Sequence, residues 1–82
     1  MIKFLYSVRD HQAGYAQPVA FMNDGLAVRS VQDCVRLGGG DMHNHPEDFS
    51  LYKVGSFDDV TGKIEPMDVF ICHLVQLVKD GE

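Results

Sequence analysis

The chain has 82 residues, 45% of them hydrophobic and 23% charged, and a formal net charge of -5. This length fits one domain and excludes two, and the composition excludes the polar, low-complexity chains that stay disordered. Seven basic residues against twelve acidic ones argue against strong general binding of nucleic acid, because Lys and Arg supply most of the non-specific affinity for phosphates. A local basic patch is still compatible with this charge.

The chain opens with two predicted strands. Apolar residues alternate in IKFLYSVRD, which predicts a half-buried strand over residues 2–9. The segment YAQPVAFMN, residues 15–23, predicts a second strand that forms a hairpin with the first. Pro18 cannot donate a hydrogen bond to a sheet, so this second strand is expected at an edge.

A helix is predicted next. Asn23 and Asp24 offer an N-cap, and the apolar spacing in LAVRSVQDCVRL predicts a helix over residues 25–37 that stops at Gly38. The glycine-rich stretch GGGDMHN that follows is predicted to be a flexible connection.

The second half of the chain is predicted to be mostly extended. HPEDF predicts a single turn with Pro46 in its first position, and SLYKVGSF, residues 50–57, predicts a strand. DDVTG predicts a tight turn, so that KIEP pairs back as a hairpin partner. The last apolar segment fits either a strand or a helix, and we expect a strand at 68–73 followed by a short helical turn.

The predicted order is ββαβββ, which gives a single α+β domain over residues 1–82. Its largely antiparallel sheet would have about four to five strands and one main helix. The longest apolar stretch, VFICHLVQLV, is about half of the ~20 residues that a membrane span needs, so no membrane association is expected. Two cysteines far apart in sequence and the absence of a secretory signal favour a reducing, intracellular setting.

The stretch HNHPEDFSLYKVG, which begins at His43, concentrates the reactive side chains of the chain. One hypothesis is a metal site built on His43 and His45. Its further ligands would be Asp41, Cys34, and Cys72 or His73. The His-x-His spacing is geometrically possible but lacks the paired spacing of structural zinc sites. The alternative is a structural corner that leads into a strand, and we favour it.

Catalytic and cofactor sites are not indicated. Glu47 and Asp48 next to His45 could act as acid and base, but no serine or cysteine is placed for activation. Gly38 to Gly40 lack the Lys-Ser or Lys-Thr that a phosphate-binding loop requires. We therefore expect no enzyme activity and no cofactor.

Nucleic-acid binding depends on where the cations lie. Arg29 and Arg36 are seven residues apart on one helix face, with Asp33 between them. Strand cations beside aromatic residues can track and stack single-stranded bases. The candidate binding residues are Arg29, Arg36, Lys53, Tyr52, Lys3 and Arg9.

The sequence also resembles the small nonstructural protein of gokushovirus-type microviruses, which are single-stranded DNA bacteriophages. The resemblance rests on NDGLAVRSVQDCV, beginning at Asn23, on HPEDFSLYKVGSFDDVTGKIEP, from His45 to Pro66, and on the opening IKFLYSVRD. It covers residues 2 to about 66 and brings no established ligand or catalytic residues.

This resemblance implies a role in single-stranded DNA synthesis or packaging in the bacterial cytoplasm, outside the set of virion structural components. Together with the acidic charge, it predicts weak DNA binding by a homo-oligomer that aligns its cations into a groove. The alternative is a module that binds host or phage proteins, without DNA, through an exposed sheet edge.

Overall fold

The computed structural model describes residues 1–78 and consists of one antiparallel sheet and one main helix. The predicted α+β fold class is confirmed. The strands are β1 (Ile2–Asp10), β2 (Gly14–Tyr15), β3 (Val19–Phe21), β4 (Phe49–Asp58) and β5 (Ile64–His73). The helices are α1 (Asp24–Leu37) and the short α2 (Gly40–Asn44), and 3₁₀ turns lie at Pro46–Asp48 and Leu74–Leu77.

The predicted second strand is divided into two. Both β2 and β3 pair antiparallel with β1, so the hairpin and the edge position are confirmed. Pro18 lies in the break between them, where its missing N–H leaves no ladder hydrogen bond to lose. The prediction of one continuous strand was therefore wrong.

Helix α1 forms where the sequence predicts it. The side chain of Asn23 accepts a hydrogen bond from the backbone N–H of Leu26 at 2.9 Å, and Gly38 closes the helix through a bond to the Cys34 carbonyl. The prediction of a wholly flexible connection after it was wrong, because α2 forms there. Gly39 and Gly40 make this possible with φ angles of 68° and 76°, which other residues rarely adopt.

The two strands predicted last, at KIEP and at residues 68–73, form a single strand, β5. β5 pairs with β4 along the whole hairpin, with one register shift between Pro66 and Val69 and a second between Phe70 and Cys72. The sequence predicts KIEP and residues 68–73 as separate strands, and this division was wrong, because β-bulges absorb irregular spacing without ending a strand. The short helical turn expected next is confirmed at Leu74–Leu77, while residue 79 of that segment lies outside the described residues.

The sheet has the order β2-β1-β4-β5, and α1 with the final 3₁₀ turn covers one of its faces. The buried core on that covered face contains Tyr6 and Leu51 from the sheet, Ala27 and Val35 from α1, and Leu74. Because side chains alternate along a strand, the neighbours of these core residues point to the other face, which we call the open face. No helix among the described residues is long and apolar enough to cross a membrane.

Candidate nucleic-acid interface

A row of aromatic rings crosses the open face of the sheet. Ring centroids lie 5.6 Å apart between Tyr15 and Tyr52, 5.6 Å between Tyr52 and Phe70, and 4.8 Å between Phe70 and His73. We call these four residues the aromatic row. They come from β2, β4 and β5, so the row spans most of the width of the sheet.

Strand register brings these residues together. Tyr52 is directly opposite Phe70, and His73 is opposite Ser50. On the other side, Tyr15 is opposite Arg9. Opposite residues in an antiparallel pair share a face, and Tyr52 follows the buried Leu51, so this row is turned away from the core.

One cation lies on the aromatic row. The guanidinium carbon of Arg9 is 5.7 Å from the ring centroid of Tyr15 and 6.0 Å from that of Tyr52. Arg9 makes no salt bridge with any residue that the structure describes. Tyr15 is 52% exposed and Phe70 47% exposed, so ring surface is accessible, and Arg9 beside it is half-buried. Such a surface can stack bases and bind a phosphate.

A polar network fixes the end of the aromatic row. The buried hydroxyl of Ser50 lies 2.7 Å from Nε2 of His11 and 2.8 Å from Nδ1 of His73. The hydroxyl carries one hydrogen, so it can donate to at most one of the two imidazoles, and its oxygen can accept from a protonated ring nitrogen. The backbone N–H of His73 also donates to the side chain of Gln76 at 2.8 Å. These bonds restrict the ring of His73 next to Phe70.

The candidate DNA-binding residues predicted from the sequence lie on different surfaces of the structure. Arg9 and Tyr52 meet on the open face, as described above. Lys53 lies on the covered face, where its Nζ is 3.1 Å from Oδ1 of Asp24 and its side chain is only 15% exposed. Lys3 is at the other end of the sheet, where its Nζ is 3.7 Å from Oδ2 of Asp59.

The two helix arginines do not join the aromatic row either, because α1 packs on the covered face. Arg29 is exposed on α1. Arg36 is half-buried, and its Nε donates to the backbone carbonyl of Leu77 at 3.2 Å. A single surface containing all six predicted residues therefore does not exist within one copy of the chain.

The histidines of the proposed metal site make separate contacts. Nδ1 of His43 is 2.6 Å from the backbone carbonyl of Val35, and a carbonyl only accepts, so this nitrogen donates. His45 instead lies near Glu47 and Asp48, with ligand atoms within 4.8 Å of one another. This exposed group differs from the predicted set, and adjacent acids on a surface turn are common without an ion.

The stretch from His43 to Gly55 forms the predicted structural corner. Pro46 occupies the first turn of the 3₁₀ segment, and the next residue after that segment, Phe49, begins β4. The corner is held by a bond from the His11 backbone N–H to the Asp48 carbonyl at 3.0 Å.

Residues 3–77 match the family model described as Phage ORF5 protein. The chain belongs to this family. A search of curated proteins and a search of solved structures both find no match. Membership of the Phage ORF5 family makes this a phage protein. This agrees with the phage origin that the sequence resemblance implies.

Sequence reasoning on this Phage ORF5 protein missed three members of the aromatic row: Tyr15, Phe70 and His73. Tyr15 was recognised as a strand residue, but nothing in the sequence specified its partner across the sheet. Phe70 was assigned to a buried segment because its neighbours are apolar. The exposed edge position of β5 overrides that pattern, since an edge strand beyond the reach of α1 leaves apolar side chains uncovered.

Proposed function

We propose that this phage protein is the nonstructural protein of a microvirus-type phage and assists the synthesis or packaging of single-stranded DNA. In this proposal it is not an enzyme, acts in the bacterial cytoplasm, and is not a structural component of the virion. It binds DNA weakly on the open face and works as a homo-oligomer.

The observation that carries the proposal is the aromatic row with Arg9 above it. Bases have apolar faces that stack on aromatic rings whatever their sequence, and each stacked base contributes roughly 1–3 kcal/mol. A double helix hides those faces, so such a surface favours single strands. Arg9 is the cation that lies on the aromatic row, and together with a net charge of -5 this fits weak binding.

Oligomerisation is supported by how few apolar residues one copy buries. Six hydrophobic residues are buried, whereas fourteen large hydrophobic side chains are exposed among the described residues. Association of copies would cover part of this surface and would place several aromatic rows along one DNA strand, which raises the overall affinity.

The proposal can be tested by fluorescence anisotropy with a labelled oligothymidine at two salt concentrations. Arg9→Gln and Arg29→Gln make the same change in charge on opposite sides of the sheet, so they form a matched pair. We expect Arg9→Gln and Phe70→Leu to weaken binding about fivefold or more, and Arg29→Gln to leave it nearly unchanged.

Two results would contradict the proposal. Equal losses in Arg9→Gln and Arg29→Gln would show that binding follows net charge rather than the aromatic row. No binding of single-stranded DNA at tens of micromolar protein would exclude direct recognition altogether.

A protein-binding role is the second candidate, and the outer edge of β5 favours it. This strand has ten residues, and no described strand pairs with its outer edge. Ile64 is 60% exposed and Val69 38% exposed on it. A host or phage protein could add a strand there. Loss of a protein partner on substitution of Val69, with DNA binding unchanged, would support this role.

A further inference from the structure

Two histidines, His11 and His73, meet at the end of the aromatic row, and we call them the histidine pair. His11 follows β1 and His73 ends β5. Their ring centroids lie 6.3 Å apart, and both side chains are exposed. One nitrogen of each ring contacts the hydroxyl of Ser50, which is only 2% exposed. Ser50 is too deeply buried to attack a substrate, so its role is to hold the two imidazoles.

The hydrogens of this network favour one added proton. When both contacts are hydrogen bonds, Ser50 donates to one ring and accepts from an N–H of the other. In the neutral pair, the first ring then carries its hydrogen on the nitrogen that does not contact Ser50, and the second ring has a bare nitrogen at that position. A proton added to this bare nitrogen keeps both bonds and gives each ring an N–H that Ser50 does not use.

A second proton is disfavoured for two reasons. With both imidazoles charged, each would donate to Ser50, and the hydroxyl hydrogen would lose its acceptor. Two positive rings would also lie 6.3 Å apart and repel each other. The histidine pair is therefore built to carry one positive charge and to present two N–H donors.

The acids around the histidine pair are turned to other partners. Asp10 precedes His11, and its Oδ1 accepts the backbone N–H two residues later at 2.9 Å. Asp48 contacts His11 through its backbone carbonyl, and its carboxylate belongs to the group around His45. Cys72 on β5 packs against the core. Among the residues that the structure describes, no ion pair joins either ring of the pair to a carboxylate, so its charge is open to an anion from solution.

Strand register places the histidine pair in line with Arg9. Arg9 on β1 and His73 on β5 are both directly opposite Ser50 on β4. Residues opposite each other share a face, and two strand spacings put the Cα atoms of Arg9 and His73 about 10 Å apart on the open face. Tyr52 and Phe70 form the next opposite pair along the same two strands. A single strand whose bases stack on these two rings can therefore pass its phosphates along Arg9 and His73.

We propose that the histidine pair binds a backbone phosphate of single-stranded DNA and takes up one proton from the solvent when it does so. Arg9 binds a neighbouring phosphate, and the bases stack on the aromatic row. A hydrogen bond between two charged groups is about twice as strong as a neutral one, so the phosphate favours the protonated pair. DNA affinity therefore rises as pH falls. The inference rests on the DNA binding of the proposed function and adds to it a phosphate site and its proton.

Anisotropy of a labelled oligothymidine, measured at a series of pH values and constant ionic strength, tests this site. Histidine changes its charge between about pH 8 and about pH 5.5, whereas thymine and the phosphodiester do not. The dye must not titrate in this range. We expect the wild-type affinity to rise about fivefold or more over this interval. His73→Gln and His11→Gln should each lose most of the rise.

His45→Gln is the matched control, because it removes an exposed histidine that belongs to the turn before β4. It should keep the full pH dependence. Gln can still form a hydrogen bond with Ser50, and urea denaturation checks that His73→Gln and His11→Gln are folded. A wild-type affinity that does not change with pH, or equal losses in His45→Gln and His73→Gln, would overturn the proposal.

Isothermal titration calorimetry counts the proton directly. Binding enthalpies in two buffers with different ionisation enthalpies should show proton uptake near about pH 7 in wild type and in His45→Gln, and little uptake in His73→Gln. Inorganic phosphate should displace the DNA no better than chloride at equal ionic strength, and stronger displacement would assign the pair to free phosphate instead. DNA binding without proton uptake would sink the phosphate site alone, whereas no binding at any pH would remove the proposed function as well.

Discussion

The ammonium of Lys53 lies 3.1 Å from the Asp24 carboxylate oxygen that also accepts the hydroxyl hydrogen of Tyr6, at 2.5 Å. Nζ of Lys53 is also 4.5 Å from the ring centroid of Phe4. These contacts join β4 and β1 to the first turn of α1. Lys53, which its charge made a candidate DNA-binding residue, therefore stabilises the packing of the helix on the sheet.

Replacing Lys53 should affect stability and leave DNA binding intact. Lys53→Met keeps most of the apolar stem and removes the contact with Asp24, so we expect the free energy of unfolding to fall by about 1 kcal/mol. Urea denaturation measures this loss, and anisotropy with labelled oligothymidine measures DNA affinity. A drop in affinity as large as that of Arg9→Gln would place Lys53 in the interface and contradict the prediction.

The bond between Tyr6 and Asp24 should make the fold sensitive to acid. The hydrogen bond from Tyr6, followed by the contacts of Lys53, lowers the pKa of Asp24, while burial and the same bond raise the pKa of Tyr6. Because the folded-state pKa of Asp24 is depressed, its contribution is complete above its unfolded pKa of about 3.9 and is lost as pH falls through the folded-state value.

Tyr6→Phe isolates this contribution. At neutral pH we expect Tyr6→Phe to lower the free energy of unfolding by about 1–2 kcal/mol, and the difference from wild type should shrink as pH falls below about 4. Urea denaturation at a series of pH values provides the measurement. Tyr15→Phe, at an exposed tyrosine, should match wild type throughout. A difference that is constant with pH would show that Asp24 does not respond to Tyr6.

The hydroxyl of Ser50 should stabilise the end of the aromatic row. Ser50→Ala removes two hydrogen bonds from a residue that is 2% exposed, so we expect a loss of about 1–2 kcal/mol in the free energy of unfolding. Because His11 and His73 reach solvent, water replaces part of the lost bonding. Ser30→Ala on the exposed surface of α1 is the control and should cost nothing. Equal stability of the two variants would refute a structural role for Ser50.

Gly55 should not tolerate a side chain. A Cβ there would lie 2.9 Å from the backbone carbonyl oxygen of Glu65, too close for an atom that cannot move without shifting β5. We expect Gly55→Ala to lower the free energy of unfolding by about 2 kcal/mol. At Gly25, in the first turn of α1, a Cβ meets only the Asn23 side chain at 3.4 Å, so Gly25→Ala should be neutral or slightly stabilising. Thermal denaturation of the Gly55→Ala and Gly25→Ala proteins measures both changes in stability. Equal melting temperatures of the two variants would contradict the prediction.

Local chemistry alone determined several elements of this protein. The alternation in IKFLYSVRD, the cap at Asn23 and the stop at Gly38 specify β1 and α1, because the signals lie within a few residues of the structure they control. The turn at Pro46 and the hairpin turn ending in Gly62 follow for the same reason. The acidic composition also argues, without any structure, against strong general binding of nucleic acid.

Tertiary structure decided which of these residues share a surface. Lys53 and Tyr52 are neighbours in sequence, yet strand alternation puts the first beside Asp24 and the second in the aromatic row. Tyr15 and Phe70 are 55 residues apart in numbering, and only the pairing of β2, β1, β4 and β5 brings them to the same face. The register of distant strands depends on packing across the whole sheet, and no short stretch of sequence contains that information.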